Sequence, residues 1–333
     1  MNGRALRLAI VPLTLFAGCL PASCGGGGSA PAIGVASSSH GAVPKFGHVF
    51  LIVGENTSAA QITTAHAPFL TKTLRPAAAW LTDYRSFRKS SSLGQYIALV
   101  SGQYTKCEAN NDLPAHCHQD VPNVFQQLSS TGRTWREWNE SMDNACDYVD
   151  HGSAWSKNIY SAHHDAAIYF TGIEGGVYDE ARTPKGSCLA NDLSMGTTAP
   201  NDTSAFDKAV RDGKVGDLNL IVPNDCENGH DPCGTKDPVR QFDDFLRREV
   251  PLIQSSPAFG TDGLIVVTWD EGADPPQDPS HVLTALVGPN VKPGTYPTGP
   301  VNHYSLSRTL AQGFGLKPLA HAANARPLPT VWK

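Results

Sequence analysis

Two acidic pairs each follow directly on an apolar run: Glu55-Asn56 after HVFLIVG, and Asp270-Glu271 after GLIVVTW. Together they offer three carboxylates and an amide oxygen. Packed together without a cation, the carboxylates would repel, and some would stay protonated. One divalent ion resolves that conflict, and an all-oxygen donor set suits a hard cation such as Mg²⁺, Ca²⁺ or Mn²⁺. Acidic residues after strands also serve as caps and turn formers. It is the repetition of the pattern after two strong runs that favours ligation. A third element is the stretch KSSSLGQYIALVSGQ, residues 89–103, where three serines stand before a helical run. A helix start offers N–H groups and a partial positive charge to an anion. A hydroxyl held there beside a cation is a usable nucleophile toward phosphorus. The alternative is that the serines are helix caps and nothing more. His230-Asp231 and Asn302-His303 add imidazoles that titrate near neutrality and could move protons. The chain has twelve histidines, so most must be ordinary surface or core residues.

The elements that would position these groups read as strands alternating with helices. Residues 48–56, 218–224, 263–272 and 281–289 have strand character, and RTWREW after residue 132 reads as another strand. Helical spacing occupies 67–74 (interrupted by Pro76), about 95–101 with Gly102 as its stop, 121–132, 239–254 and 303–315. Residues 143–217, rich in Gly, Asp, Ser and Cys, read as long loops and small helices held by a disulfide. The alternation predicts an α/β fold, a mostly parallel doubly wound sheet flanked by helices. In such a sheet ligands bind beyond the carboxyl ends of the strands. There the acidic pairs, Asn224-Asp225, His230-Asp231, Asn302-His303 and Ser90 to Ser92 are expected to share one rim.

The 333 residues are 40% apolar and 17% charged, enough for a large core. A net charge of -5 and the lack of a long basic run speak against nucleic-acid binding. Residues 1–24 read as an export signal: Arg4 and Arg7 precede LAIVPLTLFAG, which is too short for an ordinary membrane span. The ending FAGC resembles a bacterial lipobox with Phe16 in place of the usual Leu, so simple export and a lipid anchor on Cys19 both stand. Either way the protein is expected outside the cytoplasm, in the periplasm, on the outer membrane as a lipoprotein, or extracellular. Membrane contact is expected only through that anchor. Residues 25–44 read as a flexible tether, and 45–333 as the folded domain. The six cysteines beyond the tether suggest disulfides in an exported chain. Proximity favours Cys107–Cys117 and Cys226–Cys233, which leaves Cys146–Cys188. A zinc site is the rival reading, and no pair has CxxC spacing.

The blocks HVFLIVGENTS, YIALVSGQ, IVPN…HD, LIVVTWDEG, VGPNVKPGTY and NHYSLSRTL resemble, in order, the bacterial phosphoesterase family of secreted acid phosphatases and phospholipases C. That family belongs to the alkaline-phosphatase-like superfamily, and the resemblance covers roughly residues 46–333. It implies one divalent metal held by Glu55, Asn56, Asp270 and Glu271. SSSLGQYIAL aligns with the family's HPSxPNYLAL, so Ser92 takes the nucleophile position and Ser91 that of the family's Pro. Ser90 and Ser91 become caps or phosphate contacts. His164 matches a histidine before an aromatic segment, His230-Asp231 the end of NDMHD, and His303 the histidine of NHYS. The implied roles are catalysis by Ser92, His230, Asp231 and His303, and substrate binding by His164, Ser91 and Asn302. Departures are Ser90-Ser91 for His-Pro, Gly94-Gln95 for Pro-Asn, and Asn228 for the Asp of NDMHD. The expectation is an acid phosphatase that cleaves phosphomonoesters of small molecules or lipid head groups through a phosphoserine. A phospholipase C-type diesterase and a non-catalytic lipoprotein that binds a phosphorylated ligand are the alternatives.

Overall fold

The computed structural model of the chain describes residues 42–87, 91–104, 110–152, 159–174, 186–234, 237–274, 277–297 and 299–333. The expected signal, nearly all of the tether, Ser90 and Cys107 lie outside these residues.

Among the described residues nine strands form one sheet. They are β1 Val49–Gly54, β2 Ala79–Arg85, β3 Trp135–Asn139, β4 Asp192–Ser194, β5 Leu218–Val222, β6 Leu264–Trp269, β7 His281–Val287, β8 Gly294–Tyr296 and β9 Val301–Asn302. The order is β4-β3-β5-β1-β6-β7-β2-β8, with β9 also paired to β2. The flanking helices are α1 Ser92–Ser101, α2 Pro114–Cys117, α3 Val124–Ser130, α4 Thr171–Glu174, α5 Cys188–Asn191, α6 Ser204–Arg211, α7 Pro238–Ser255 and α8 His303–Gly313. The fold is the expected α/β sheet, and every pairing is parallel except the two made by β7.

The central strands explain their own composition. Every residue of β1, β5 and β6 is buried, which is why they read as apolar runs broken only by Asn219 and Thr268. Each fully buried Val, Leu or Ile there contributes about 1.5–3 kcal/mol. On one face of α7, Phe242, Phe245, Leu246, Val250 and Ile253 are buried at helical spacing. Asp237 caps α7 by accepting from Val239 N and Arg240 N, and Pro238 sits in the first turn where its missing N–H costs nothing.

Helix α1 begins at Ser92, one turn earlier than its spacing suggested, and packs against α8. It ends at Gly102 in the left-handed region (φ 66°), as its position predicted. Strand β2, sequence AWLTDYR, was not foreseen. The described residues between 143 and 217 are mainly loops and short helices stapled by Cys146–Cys188, with β4 and the eight-residue α6 among them. Cys226–Cys233 is the second disulfide, as proximity favoured.

The register places the site. Gly54 of β1 pairs with Trp269 of β6, so Glu55 and Asp270 leave neighbouring strand ends side by side. β7 runs against both β6 and β2, and two reversals return β2 to the direction of β6. The carboxyl end of β2 therefore delivers the chain to Ser92 at the same rim.

Candidate active site

At that rim Ser92, Glu55, Asp270, Glu271, His164 and His230 meet. Ser92 Oγ lies 3.2 Å from Glu55 Oε1 and 3.5 Å from Glu271 Oε1. Ser92 is the first residue of α1, after Ser91 in extended conformation at the N-cap. Helix start and carboxylates thus bracket one hydroxyl, which is buried together with Glu55 and Asp270. Asp270 Oδ1 accepts from Asn56 N at 3.2 Å and from Glu271 N at 2.6 Å. Asn56 reaches the cluster through this backbone N–H, in left-handed conformation (φ 42°). Glu55 N donates to Asn228 O, and Thr57 Oγ1 donates to Glu55 O and Gly229 O. The loops after β1 and β5 are thereby locked to each other.

The histidines divide into three roles. His230, half exposed, places Nδ1 3.0 Å from Glu55 Oε2 and 3.4 Å from Asp231 Oδ1. The Glu55 hydrogen bond raises its pKa to about 9, so it is charged near neutral pH. His164 is buried, and burial together with neighbouring His163 lowers it to about 3. It is therefore neutral, and its Nε2, 3.8 Å from Glu55 Oε1, is not half of an ion pair. Its Nδ1 faces Asp225 Oδ1 at 3.7 Å, and Tyr96 lies against its ring.

His303 is fully buried, with Nε2 2.6 Å from the backbone oxygen of Asp270 and Nδ1 2.9 Å from Tyr84 Oη. A carbonyl only accepts, so Nε2 carries the proton and the Tyr84 hydroxyl donates to Nδ1. Burial depresses His303 to about 4. Both ring nitrogens are occupied, and the residue props Asp270 rather than facing a substrate. Asn302, expected at the substrate, spends its side-chain oxygen as the N-cap of α8, accepting from Tyr304 N and Ser305 N.

The carboxylates carry the electrostatic conflict foreseen from their spacing. Burial, then the charges of Glu55 and Glu271, raises Asp270 well above the usual range. Burial and Glu55 raise Glu271 to about 8. Burial alone would also raise Glu55, but the His230 hydrogen bond and the charge of that imidazole carry it downward. Two buried side-chain atoms of this cluster have no hydrogen-bond partner among the described residues: Asp270 Oδ2 and His164 Nε2. With a Glu55 oxygen, one ligand atom from each residue lies within 4.8 Å of the others. Orphaned acceptors turned toward one another fit a cation. The donor set gains an imidazole that was expected at the substrate, while Cys146 and Cys188, with Asp192 beside them, are already joined as a disulfide.

Tyr84 and Asp225 were given no role from the sequence. Tyr84 sits on the unforeseen β2, and Asp225 was only one rim residue among several.

The sequence model of the Phosphoesterase family matches residues 81–317. A phosphatidylinositol-3-phosphatase of Mycobacterium tuberculosis (strain ATCC 25618 / H37Rv) is 28% identical over 306 residues, which is 92% of this chain and 88% of the relative. Among solved structures, a protein in the alkaline phosphatase superfamily from Vibrio parahaemolyticus matches with a TM-score of 0.59 at 12% identity, covering 85% of this chain and 71% of the other. The lipoteichoic acid synthase LtaP from Listeria monocytogenes matches with a TM-score of 0.52 at 11% identity, covering 84% and 76%. At such identities these two structures speak for the fold alone.

Proposed function

The chain belongs to the Phosphoesterase family and is a hydrolase of phosphoric esters, and from that premise we propose that it is an exported, metal-dependent acid phosphatase acting on phosphomonoesters through a phosphoserine at Ser92. The observation that carries this reading is the Ser92 hydroxyl at a helix start, 3.2 Å from Glu55 and 3.5 Å from Glu271.

Glu55, Asp270 and His164 would hold the cation, with Glu271 and Asn56 beside them. A cation bound there neutralises the carboxylates and makes a hydroxyl next to it more acidic. The mixed nitrogen and oxygen donors suit an ion such as Mn²⁺ or Zn²⁺ better than Ca²⁺. The Ser92 hydroxyl already points at carboxylate acceptors. Its proton passes to the Glu271 carboxylate, 3.5 Å away, which returns it when the serine is released; its oxygen attacks phosphorus, and the bond to the leaving alkoxide breaks on the opposite side. His230, charged and at the mouth of the site, gives its proton to that alkoxide. The positive end of α1 faces the charge on the phosphoryl oxygens. Water then attacks the phosphoserine, and His230 takes the proton back. His303 acts at one remove, holding the Asp270 backbone in place through its carbonyl.

Likeness to a phosphatidylinositol-3-phosphatase supports a phosphorylated inositol head group as the substrate. Two disulfides among the described residues support export to an oxidising compartment. No helix among the described residues is long and apolar enough to cross a membrane. An aryl phosphate assay with and without chelator, on the protein and on Ser92→Ala, tests the mechanism. Turnover that survives both chelation and the substitution ends it.

A further inference from the structure

His230 is a half-exposed side chain on a surface loop, so its aim depends on what holds that loop. The amino-terminal half of the loop is anchored from several sides. Asn228 O accepts from Glu55 N at 2.8 Å, Gly229 O accepts from Thr57 Oγ1 at 3.0 Å, and Arg248 Nη1 donates to Glu227 Oε1 at 2.9 Å. Gly229 turns the chain with φ 107°, in the region that favours glycine, immediately before His230. The carboxyl half is brought back by a covalent link, the Cys226–Cys233 disulfide, with Cα atoms 5.3 Å apart across a separation of seven residues. An extended segment of that length spans about 23 Å, so the link removes most of the conformations open to the loop. Both cysteines are only partly buried. Cys146 and Cys188, by contrast, are 1% and 0% exposed. Of these two disulfides, a thiol reagent in solution therefore meets the loop disulfide first.

We propose that Cys226–Cys233 is a redox-sensitive positioning element for His230: intact, it aims the imidazole at the leaving oxygen, and its reduction by a dithiol lowers turnover of esters with basic leaving groups far more than of esters with acidic ones. The inference rests on His230 as the proton donor. The chemistry balances. The dithiol supplies two electrons and two protons, the S–S bond breaks to two thiols, and the reductant closes to a cyclic disulfide. The selectivity follows because an alkoxide needs a proton as it departs, whereas a nitrophenolate leaves without one. Asn228 and Gly229, in the half of the loop anchored apart from the disulfide, keep their hydrogen bonds to Glu55 and Thr57 when the link opens, and Asp270 is held by Asn56 N and Glu271 N, so attack by Ser92 on phosphorus is retained.

The experiment compares glycerol phosphate with 4-nitrophenyl phosphate in three proteins: unaltered, Cys226→Ser/Cys233→Ser, and His230→Gln. General acids contribute on the order of 10²–10⁴-fold. The expected loss on glycerol phosphate is about 100-fold for His230→Gln and about tenfold for the double serine variant. The double variant should lose less than about threefold on the nitrophenyl ester. Equal losses on both esters, or none on either, in the double variant overturn the inference. If that variant does not fold, the folded oxidised protein is treated with dithiothreitol and alkylated at Cys226 and Cys233, with Cys146–Cys188 shown intact by mass spectrometry. The same ratio of rates then decides, and reoxidation without alkylation must restore it. If His230→Gln lowers both esters equally, the acid assignment fails and takes this inference with it. If His230→Gln discriminates and the disulfide variant does not, only the present inference fails.

Discussion

Replacing His303 with Phe tests whether this histidine props the site or takes part in proton transfer. The substitution leaves the Asp270 carbonyl and the Tyr84 hydroxyl, both buried, without their partner. Each such loss costs about 1–3 kcal/mol, so near pH 7 the variant is destabilised by roughly 2–6 kcal/mol. The pH dependence is more discriminating. Burial lowers His303 from 6.5 to about 4 in the folded protein. Its protonation therefore favours the unfolded chain. The stability tied to a neutral His303 is complete above 6.5 and drains as pH falls toward 4. At ~1.4 kcal/mol per pH unit, the drain reaches about 3 kcal/mol by pH 4. Phe cannot titrate, so the stability gap between the two proteins should close by about 3 kcal/mol between pH 7 and pH 4. Urea unfolding across that range measures it, and taking the difference cancels the other titrating groups. A gap that stays constant across the range refutes the buried, neutral His303. Kinetically, the variant should slow alkyl and aryl esters alike, since the residue acts through Asp270. A selective loss on the alkyl ester would make His303 the proton donor after all.

Ser92→Ala should remove turnover and the phosphoprotein seen by acid quench with a labelled phosphomonoester; a trapped phosphoryl group at another residue would contradict the assignment. His164→Ala should weaken metal binding by about 10–100-fold in a calorimetric titration; unchanged affinity would return the ion to oxygen ligands alone. Glu249 is buried, accepts from Thr203 Oγ1 at 3.0 Å and faces Asp207, and burial raises it from 4.5 to about 8. The stability it contributes is complete below 4.5 and lost as pH rises through about 8, so Glu249→Gln should flatten that fall by ~2–4 kcal/mol in unfolding measurements; an unchanged slope would refute it. At Gly102, with φ 66°, an added Cβ would meet the Leu319 carbonyl oxygen at 2.5 Å, so Gly102→Ala should lower the melting temperature by several degrees through a loss of about 1–3 kcal/mol; an unshifted melting curve would show that the contact yields.

The parts legible in the sequence are those in which one stretch carries its own signal. β1 and β6 are buried on both faces, so their apolar runs and the acidic residues that follow stand out. Gly102 and the serines mark both ends of α1. Cys226 and Cys233 lie too near each other in the chain to be mistaken for distant partners. What stayed hidden depends on residues far apart. β2 is interrupted by Thr82 and Asp83 and reads as neither strand nor helix, so Tyr84 had no assigned place. A histidine ahead of a helix looks the same whether it serves a substrate or a backbone carbonyl, and Tyr84 and Asp270 decide the matter for His303. His164 was singled out by resemblance alone. Its place beside Glu55 depends on how the chain folds back between β3 and β4, which no local spacing records.

The reversed direction of β7 has an evolutionary reading. A parallel neighbour would have required a crossover spanning the full height of the sheet, usually through a helix. An antiparallel return needs a turn of only about 2–5 residues, yet Asp270 to Ser280 separate β6 from β7. The connection starts at the site, with Glu271 3.5 Å from Ser92, and can lengthen, shorten or change composition while the strands keep their register. Diversification of the molecules accepted by such enzymes has a natural foothold there, because new side chains can be tried next to the chemistry without rebuilding the scaffold beneath it.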